Sequence, residues 1–458
     1  MRLKSWCEPH VDFAVNGLAG FSERVPSGCG LPLSRPSVGQ GCVGANVLEH
    51  WAVAGSFPCY FGIISDISAV TRQWLLLMTT NIAMPNPLTL LDTVLGGFQA
   101  LLREHGDGIT HDPVRRKQRI EIPAAYLYAL CVIGRHGTSE AEQCRRILLD
   151  LRNRNGLWDE MAYGVDDEPV GFYGLVTSAY AVLALARLAA VTNDRTDFSA
   201  LITACDTIYG TENDGTLVKA VHNRSAVLNT NLIGAQALVA VANLLPQASN
   251  RRRMYMGLAE RVIRRVLGYQ SPRGFFPYHF ETLAVPILYQ AMVTAQLRQL
   301  LHYFQQPVLH LAVRQGGRAL HSVFDASGSI QWDRANNHDK RGAMWAYTFA
   351  LAAFDENDPL FPAICAKLSG SMRDGLFTGV EGATLLDPFY SAWMILGLAW
   401  SLEKPVLART ISPALVVRRA WLLGEYWRTT LTFVAAYCLH QLRSWVFPCG
   451  TLENSRWK

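Results

Sequence analysis

A short repeated unit constrains the fold of this chain more than any other feature of its sequence. Each unit has a turn that contains glycine, then a polar loop, then a helix of small apolar residues, and the clearest unit spans residues 214–245. Six such turns occur, at residues 106–108, 155–158, 214–215, 273–278, 328–332 and 374–377. Their spacing of roughly 46 to 59 residues is typical of a repeat architecture, in which one helical unit packs on the next.

The apolar helices of these units have almost no charged side chains, and this decides where they lie. Residues 225–250 contain no charged residue, and a helix without a polar face has to be covered on all sides or lie in lipid. The six helices of this kind are predicted at residues 122–133, 172–188, 225–250, 284–303, 342–354 and 388–402.

Charged, amphipathic helices alternate with the apolar ones. They are predicted at residues 88–103, 139–152, 251–269 and 312–324. The chain therefore alternates, six times, between a helix that is buried on all sides and a helix that is buried on one face. This alternation requires an inner ring of helices inside an outer ring. The sequence therefore predicts an all-α fold, an (α/α)6 toroid of six helical hairpins.

The repeat divides the chain into three parts. Residues 1–77 lack it and are rich in glycine and proline, so they are predicted to be an irregular N-terminal extension, or to precede the true start of the chain. Residues 78–403 form the predicted toroid. Residues 404–458 are predicted to be a helical tail, with one helix at about 413–446 that packs on the outer wall or contacts a membrane surface.

Composition excludes several classes of protein. The net charge of +5 is spread along the chain without a dense basic run, so no nucleic-acid partner is predicted. The ten cysteines lack zinc-ligand spacing, and Cys131, Cys144, Cys205, Cys365 and Cys438 fit helical patterns as buried thiols. No metal or other cofactor is predicted, because no phosphate-binding, dinucleotide-binding or metalloprotease motif occurs.

Neither a secretory signal nor a membrane span is predicted. The N-terminus lacks the charged and apolar pattern of a signal peptide. The uncharged runs at residues 169–186 and 225–250 are long enough to span a bilayer, but both contain polar residues and both coincide with the repeat. We therefore expect both runs to belong to the core of the toroid. We also expect a cytoplasmic protein, which would be peripheral to the membrane if its C-terminal tail binds a membrane surface.

The loops that lead into the apolar helices meet at one mouth of a toroid, which favours a ligand site there. Three of these loops combine carboxylates or histidines that could exchange protons with a substrate. The candidate catalytic residues are Asp166, Asp167, His279, Glu281, His338 and Asp339. The alternative interpretation is structural, with the aspartates capping the next helix and the histidines in solvated loops.

Aromatic and amide side chains in the same loops are candidates for holding a substrate. Aromatic rings stack on sugar rings or face cations, and amides bond hydroxyl groups. The candidate substrate-binding residues are Trp158, Tyr173, Asn229, Asn231, Tyr278, Trp332 and Tyr390. Helix capping is the alternative role for the two asparagines.

Two resemblances follow from these motifs. The turns NGLWD at 155–159 and GSIQWD at 328–333 resemble the repeat motifs of the squalene cyclase and prenyltransferase superfamily, over roughly residues 85–402. The resemblance implies a toroid. Gly164-Val165-Asp166-Asp167 stands where class II cyclases have Asp-x-Asp-Asp, and the glycine in first place argues against proton-initiated cyclisation.

The second resemblance is to helical proteins associated with bacterial exopolysaccharide biosynthesis. It rests on the sequence NTNL at 229–232, which starts a small-residue helix, and on Gln-x-x-x-Gly-x-x-Pro-Tyr at 270–278. The His-Thr-Gly motif of those proteins is not reproduced. This resemblance implies a carbohydrate context.

Three functions are consistent with the sequence. The first is a protein that binds or processes a small saccharide or oligosaccharide, in surface-polysaccharide biosynthesis. The second is a terpenoid or prenyl-chain cyclase, and the third is a scaffold whose cavity is filled by side chains. A polar cavity with aromatic rims would favour the first, an apolar cavity the second and a filled one the third. The sequence does not specify the oligomeric state.

Overall fold

The computed structural model describes residues 85–112, 117–153, 156–158, 161–162, 174–217, 227–280, 285–332, 343–378 and 386–407. The N-terminal extension, the tail helix at 413–446 and Cys438 lie outside these residues. In the described part the chain forms twelve α-helices and short two-residue strands.

The helices alternate between two environments along the chain. They are α1 (Pro87–His105), α2 (Glu121–Val132), α3 (Ser139–Asp150), α4 (Leu175–Thr192), α5 (Phe198–Gly210), α6 (Leu228–Leu244), α7 (Asn250–Gly268), α8 (Ile287–Leu300), α9 (Pro307–His321), α10 (Ala343–Ala353), α11 (Leu360–Gly370) and α12 (Pro388–Glu403). The even-numbered helices are buried along most of their residues, whereas the odd-numbered helices have one exposed face.

The even-numbered helices form a closed inner ring. Each packs on the next, from α2 through α12, and α12 packs on α2. The outer helix α1 packs on α12, in the way that α3 packs on α2. The predicted arrangement of two rings and six hairpins is therefore confirmed, and one hydrophobic core joins all the helices.

Two outer helices, α5 and α11, are absent from the predicted set of charged helices. The sequence of α5 is FSALITACDTIYG and that of α11 is LFPAICAKLSG, each with a single charged residue. Both helices are short and mostly apolar, so they lack the charge pattern by which the other outer helices are predicted. The predicted helix at 312–324 starts earlier, at Pro307, because proline is well tolerated in a first helical turn.

The inner helix α4 is, in the described residues, the one helix long and apolar enough to cross a membrane. It packs between α2 and α6 in the inner ring, and 61% of its apolar window is buried inside the protein. Its apolar composition is explained by this position in the ring.

Short β-hairpins and turns join outer helices to inner ones. Strands β1 (His111–Asp112), β2 (Lys117–Gln118) and β3 (Met161–Ala162) form one antiparallel sheet. Strands β4 (Glu212–Asn213) and β5 (Thr216–Leu217) pair in the third unit, and β6 (Met372–Arg373) and β7 (Leu376–Phe377) pair in the sixth. The predicted glycine turns of the third and sixth units connect the β4–β5 and β6–β7 hairpins, whereas the first predicted turn lies in a 3₁₀ helix, Gly106–Thr110.

A repeated hydrogen bond fixes five of the six turns to the inner ring. The glycine of each turn has a positive φ, from 72° to 93°, which favours glycine over other residues. Two residues later a backbone N–H donates to a fully buried side chain in the first turns of the next inner helix. These bonds are Trp158 to Ser178 (3.1 Å), Leu217 to Asn231 (2.6 Å), Phe276 to Gln290 (2.7 Å), Ile330 to Tyr347 (3.3 Å) and Phe377 to Ser391 (3.0 Å).

Replacing Asn231 with alanine should therefore destabilise the protein by about 2 to 3 kcal/mol, since buried groups are left without partners. The Asn231 amide accepts from the Leu217 N–H and donates to the carbonyls of Leu217 (3.3 Å) and Val227 (2.9 Å). The control is Asn229→Ala, which removes a contact to the Met292 sulfur and should change stability by less than about 1 kcal/mol. Urea unfolding measures the stability of both variants. Equal losses of stability would show that Asn231 does not anchor the β4–β5 turn.

Four cysteines have the buried environment predicted for them. Cys131, Cys144, Cys205 and Cys365 are buried free thiols. Burial raises the pKa of Cys131 and of Cys365 to about 12. These thiols stay protonated at neutral pH, so they act as small apolar side chains of the core.

Candidate functional site

The inner helices all begin at one end of the ring, which we call the mouth. Several contacts pair the start of one inner helix with the start of another: Glu121 on α2 with Thr177 on α4, and Trp345 on α10 with Tyr390 on α12. The glycine turns lie at this end, as the sequence predicts for the site.

Seven of the predicted site residues lie in the described part of the chain. They are Trp158, Asn229, Asn231, Tyr278, His279, Trp332 and Tyr390. The other predicted residues lie outside it and stay predictions: Asp166, Asp167, Tyr173, Glu281, His338 and Asp339.

Two of the predicted binding residues have structural bonds. Trp158 is fully buried, and its indole N–H donates to the Leu148 carbonyl at 2.6 Å. Asn231 holds the β4–β5 turn as described above. The structure thus gives both side chains a role in fixing turns to helices.

Asn229 lies in a different position. Its amide nitrogen is 3.4 Å from the sulfur of Met292, and its buried Oδ1 has no hydrogen-bond partner among the described residues. An unpaired buried acceptor costs about 1 to 3 kcal/mol. Asn229 therefore has an acceptor available for a ligand, and its role in binding stays a prediction.

Tyr278 and His279 belong to an aromatic group on the fourth turn. The ring of Tyr278 lies 4.1 Å from that of His279 and 4.2 Å from that of Tyr289 on α8. The backbone of His279 pairs with Val227, just before α6. Both predicted residues thus stand between the starts of two inner helices, and Trp332 lies partly buried after the fifth turn.

The largest aromatic group at the mouth gathers side chains from three inner helices, and we call it the aromatic cluster. It consists of Tyr180 on α4, Trp345 on α10, and Phe389, Tyr390 and Trp393 on α12. The ring centroids of Trp345 lie 5.1 Å from Trp393 and 4.7 Å from Tyr390, and Tyr180 lies 4.6 Å from Trp393. Phe389 is 6.1 Å from Trp393.

The polar atoms of this cluster are its most informative feature. The Nε1 atoms of Trp345 and Trp393 and the hydroxyl of Tyr180 are buried, and none has a hydrogen-bond partner among the described residues. Burial, reinforced by the nearby charge of Glu121, holds the pKa of the Tyr180 phenol well above its ordinary value, so this hydroxyl remains a donor. Three unpaired donors in one cluster are costly unless a ligand or water accepts from them.

A carboxylate and a guanidinium stand beside the cluster. Glu121 is 5% exposed, and its Oε1 accepts from the Thr177 hydroxyl at 2.9 Å. The guanidinium of Arg119, also buried, lies 4.2 Å from the centre of the Phe389 ring. The mouth therefore combines aromatic faces, free donors and a buried acid, the groups that recognise a molecule with both apolar and hydroxyl surfaces.

Sequence reasoning missed Tyr180, Trp345 and Trp393 as site residues. They occur in helices predicted as ring core, where an aromatic residue is usually a packing residue. The available signal was a large aromatic side chain near the start of a helix that otherwise has small residues, as in AMWAYTFALAA. Glu121 is absent from the candidate catalytic residues, although it stands directly before the first predicted apolar helix.

The described residues contain no group of three or more histidines, cysteines, aspartates or glutamates placed to hold a metal ion.

Comparison with known proteins identifies the fold to which this ring of helices belongs. The sequence matches no protein-family model and no curated protein sequence. The GH76 alpha-mannanase from Bacteroides thetaiotaomicron has a similar structure, with a TM-score of 0.51 at 11% identity, covering 70% of this chain and 97% of that one. The fold is an (α/α)6 toroid.

Two further structures are similar. A UGL variant in complex with dGlcA-Glc-Rha-Glc has a TM-score of 0.51 at 12% identity, covering 68% of this chain and 95% of that one. A type II terpene cyclase from Scytonema in complex with geranylgeranyl dihydroxybenzoate has a TM-score of 0.45 at 11% identity, covering 69% and 98%. At these identities the likeness concerns the fold alone.

Proposed function

We propose that this protein binds a saccharide at the mouth of the toroid and processes it there. The observation that carries the proposal is the aromatic cluster with its three unpaired donors. The apolar face of a sugar ring packs on indole and phenol rings, while its hydroxyl oxygens accept from the indole N–H and phenol O–H groups. Two similar structures are named as a mannanase and as a complex with an oligosaccharide, which agrees with this ligand class.

Glu121 is the described residue that we assign to proton transfer. A carboxylate beside a ligand site suits an acid or base role, because it can accept a proton from a bound substrate or donate one to it. The Thr177 hydroxyl orients it through the 2.9 Å bond to Oε1. The second acid or base comes from the mouth loops, where Asp166, Asp167, His279, Glu281, His338 and Asp339 remain the candidates.

A terpenoid or prenyl-chain cyclase is the second candidate. The stacked rings of Trp345 and Trp393 could face a carbocation, which favours this function. A hydrocarbon chain, however, has no acceptor for the three donors, so they would stay unpaired in the complex. This asymmetry favours the saccharide. The setting in surface-polysaccharide biosynthesis and the cytoplasmic location stay predictions.

Replacing Trp345 with alanine tests the binding part of the proposal. Loss of the stacking face and of the indole donor should weaken oligosaccharide binding at least tenfold, which corresponds to about 1.4 kcal/mol. Calorimetric titration measures the change. The control is Trp332→Ala, a partly buried tryptophan outside the cluster, which should weaken binding less. If Trp332→Ala has the larger effect, the ligand contacts the fifth loop instead of the cluster.

Replacing Glu121 with glutamine tests the assignment of proton transfer. The amide oxygen can still accept from Thr177, so the fold and the saccharide affinity should change little. Turnover should fall by a factor of about 10² to 10⁴, the usual contribution of a general acid or base. Full turnover in Glu121→Gln, with normal binding, would exclude Glu121 and leave the loop residues as the catalytic groups.

A further inference from the structure

The end of the ring opposite the mouth also holds a cavity. Its volume is about 390 Å³, and its walls come from the second halves of the inner helices α2, α4, α6, α8 and α12 and from the first turns of α7. Trp400 lines it, seven residues after Trp393 of the aromatic cluster, which places the two sites about 10 Å apart along α12. We call it the far-end cavity.

Three charged side chains line the far-end cavity, namely Arg187, Arg252 and Glu403. Arg252 donates to the carbonyls of Ala242 and Leu245. Arg187 on α4 forms an ion pair with Glu403 at the end of α12. The Tyr128 hydroxyl donates to the second oxygen of Glu403 at 3.4 Å, and His302 is bonded to the Glu403 carbonyl at 2.7 Å. Two of the three charges therefore neutralise each other and the third is bonded to carbonyl oxygens, so the cavity can take an uncharged ligand.

Two buried polar atoms of the lining have no hydrogen-bond partner among the described residues. Gln236 is 3% exposed, and its amide nitrogen donates to the Gln296 carbonyl at 3.1 Å, which leaves Oε1 as an unused acceptor. The Nε–H of Arg187 is an unused donor. A hydroxyl group can donate to the first and accept from the second.

The remaining walls suit the same kind of molecule. Burial raises the pKa of the Tyr303 phenol, so it stays protonated and can donate. The aromatic rings of Tyr303 and Trp400 offer apolar faces. The volume lies within the range of small-molecule pockets.

We propose that the far-end cavity is a second binding site, which takes a small uncharged polyhydroxylated molecule of monosaccharide size. This site is separate from the mouth and does not rest on the function proposed for it. The ring then holds ligands at both ends of its axis.

The test uses saturation-transfer NMR on the full chain with glucose, mannose, galactose and myo-inositol as probes. Ala240 lines the cavity on α6, so Ala240→Phe should fill it and weaken binding of the responding probe at least tenfold. Gln236→Leu, which removes the free acceptor, should also weaken it. Trp345→Ala should leave it unchanged, because Trp345 belongs to the mouth.

The outcomes separate the two sites. Thermal melting shows whether Ala240→Phe is folded, and Gln236→Leu is the fallback if it is not. If saturable binding of a probe is lost in Trp345→Ala and kept in Ala240→Phe, the probe binds at the mouth. That result would overturn the second site and support binding at the mouth. No saturable binding of any of the four probes would overturn it as well, without bearing on oligosaccharides at the mouth.

Discussion

Replacing Gly97 with alanine is expected to destabilise the protein by about 3 kcal/mol, the upper end of the usual cost of overpacking. Gly97 lies on α1, and a Cβ there would come within 2.7 Å of the Gly375 backbone and 2.8 Å of the Asp374 carbonyl oxygen. These are backbone atoms of the β6–β7 turn of the last unit, so they cannot move aside as the end of a flexible side chain could. The variant therefore tests the contact that joins the two ends of the ring.

The neighbouring residue provides a matched control. A Cβ on Gly96 would have nothing within 4 Å. Because alanine is the better helix former, Gly96→Ala should stabilise the protein by about 0.5 to 1 kcal/mol. Urea unfolding of the two variants gives both values. Changes of the same sign and size would mean that α1 does not pack on the last turn.

Replacing Arg298 with methionine should cost about 3 kcal/mol, because buried carbonyls lose their donor. The Arg298 side chain is 2% exposed. It donates to the carbonyl of Ala353, the last residue of α10 (2.9 Å), to the Pro405 carbonyl after α12 (3.0 and 2.9 Å) and to the Asp355 carboxylate (2.6 Å). One guanidinium thus joins the ends of three inner helices.

Arg264→Met is the control for the loss of an arginine. Arg264 is 62% exposed and pairs with Glu260 one turn away on α7. Such surface pairs contribute about 0.3 to 0.5 kcal/mol. Chemical denaturation should therefore separate the two variants by more than about 2 kcal/mol. A loss in Arg298→Met as small as that in Arg264→Met would show that water replaces the guanidinium at the carbonyls.

The ring could be predicted from the sequence because its signal is strong and local. A helix without charge, as at residues 225–250, has to be covered, and six of them with glycine turns between leave few alternatives to a toroid. The outer helices α5 and α11 could not be predicted in the same way, since each carries one charged residue and lacks a polar stripe.

The site was less accessible to sequence reasoning, for a physical reason. The convergence of loops and helix starts at one mouth follows from the predicted toroid, but a buried residue that packs and one that lines a site look alike in sequence. Trp158 stands in a loop and is packed, whereas Trp393 stands in a core helix and has a free indole donor. Only the surroundings of each indole N–H distinguish the two.

The measurement that tests the central claim most directly is a thermal-shift screen against oligosaccharides, nucleotide sugars and prenyl diphosphates, on the wild type and Trp345→Ala. A ligand that binds the native state alone stabilises it by about 2.7 kcal/mol at one hundred times its Kd. We expect an oligosaccharide or nucleotide sugar to raise the Tm of the wild type by several degrees and that of Trp345→Ala much less. A rise with prenyl diphosphates alone would contradict the saccharide site and favour a cyclase, and no rise with any ligand would favour a scaffold.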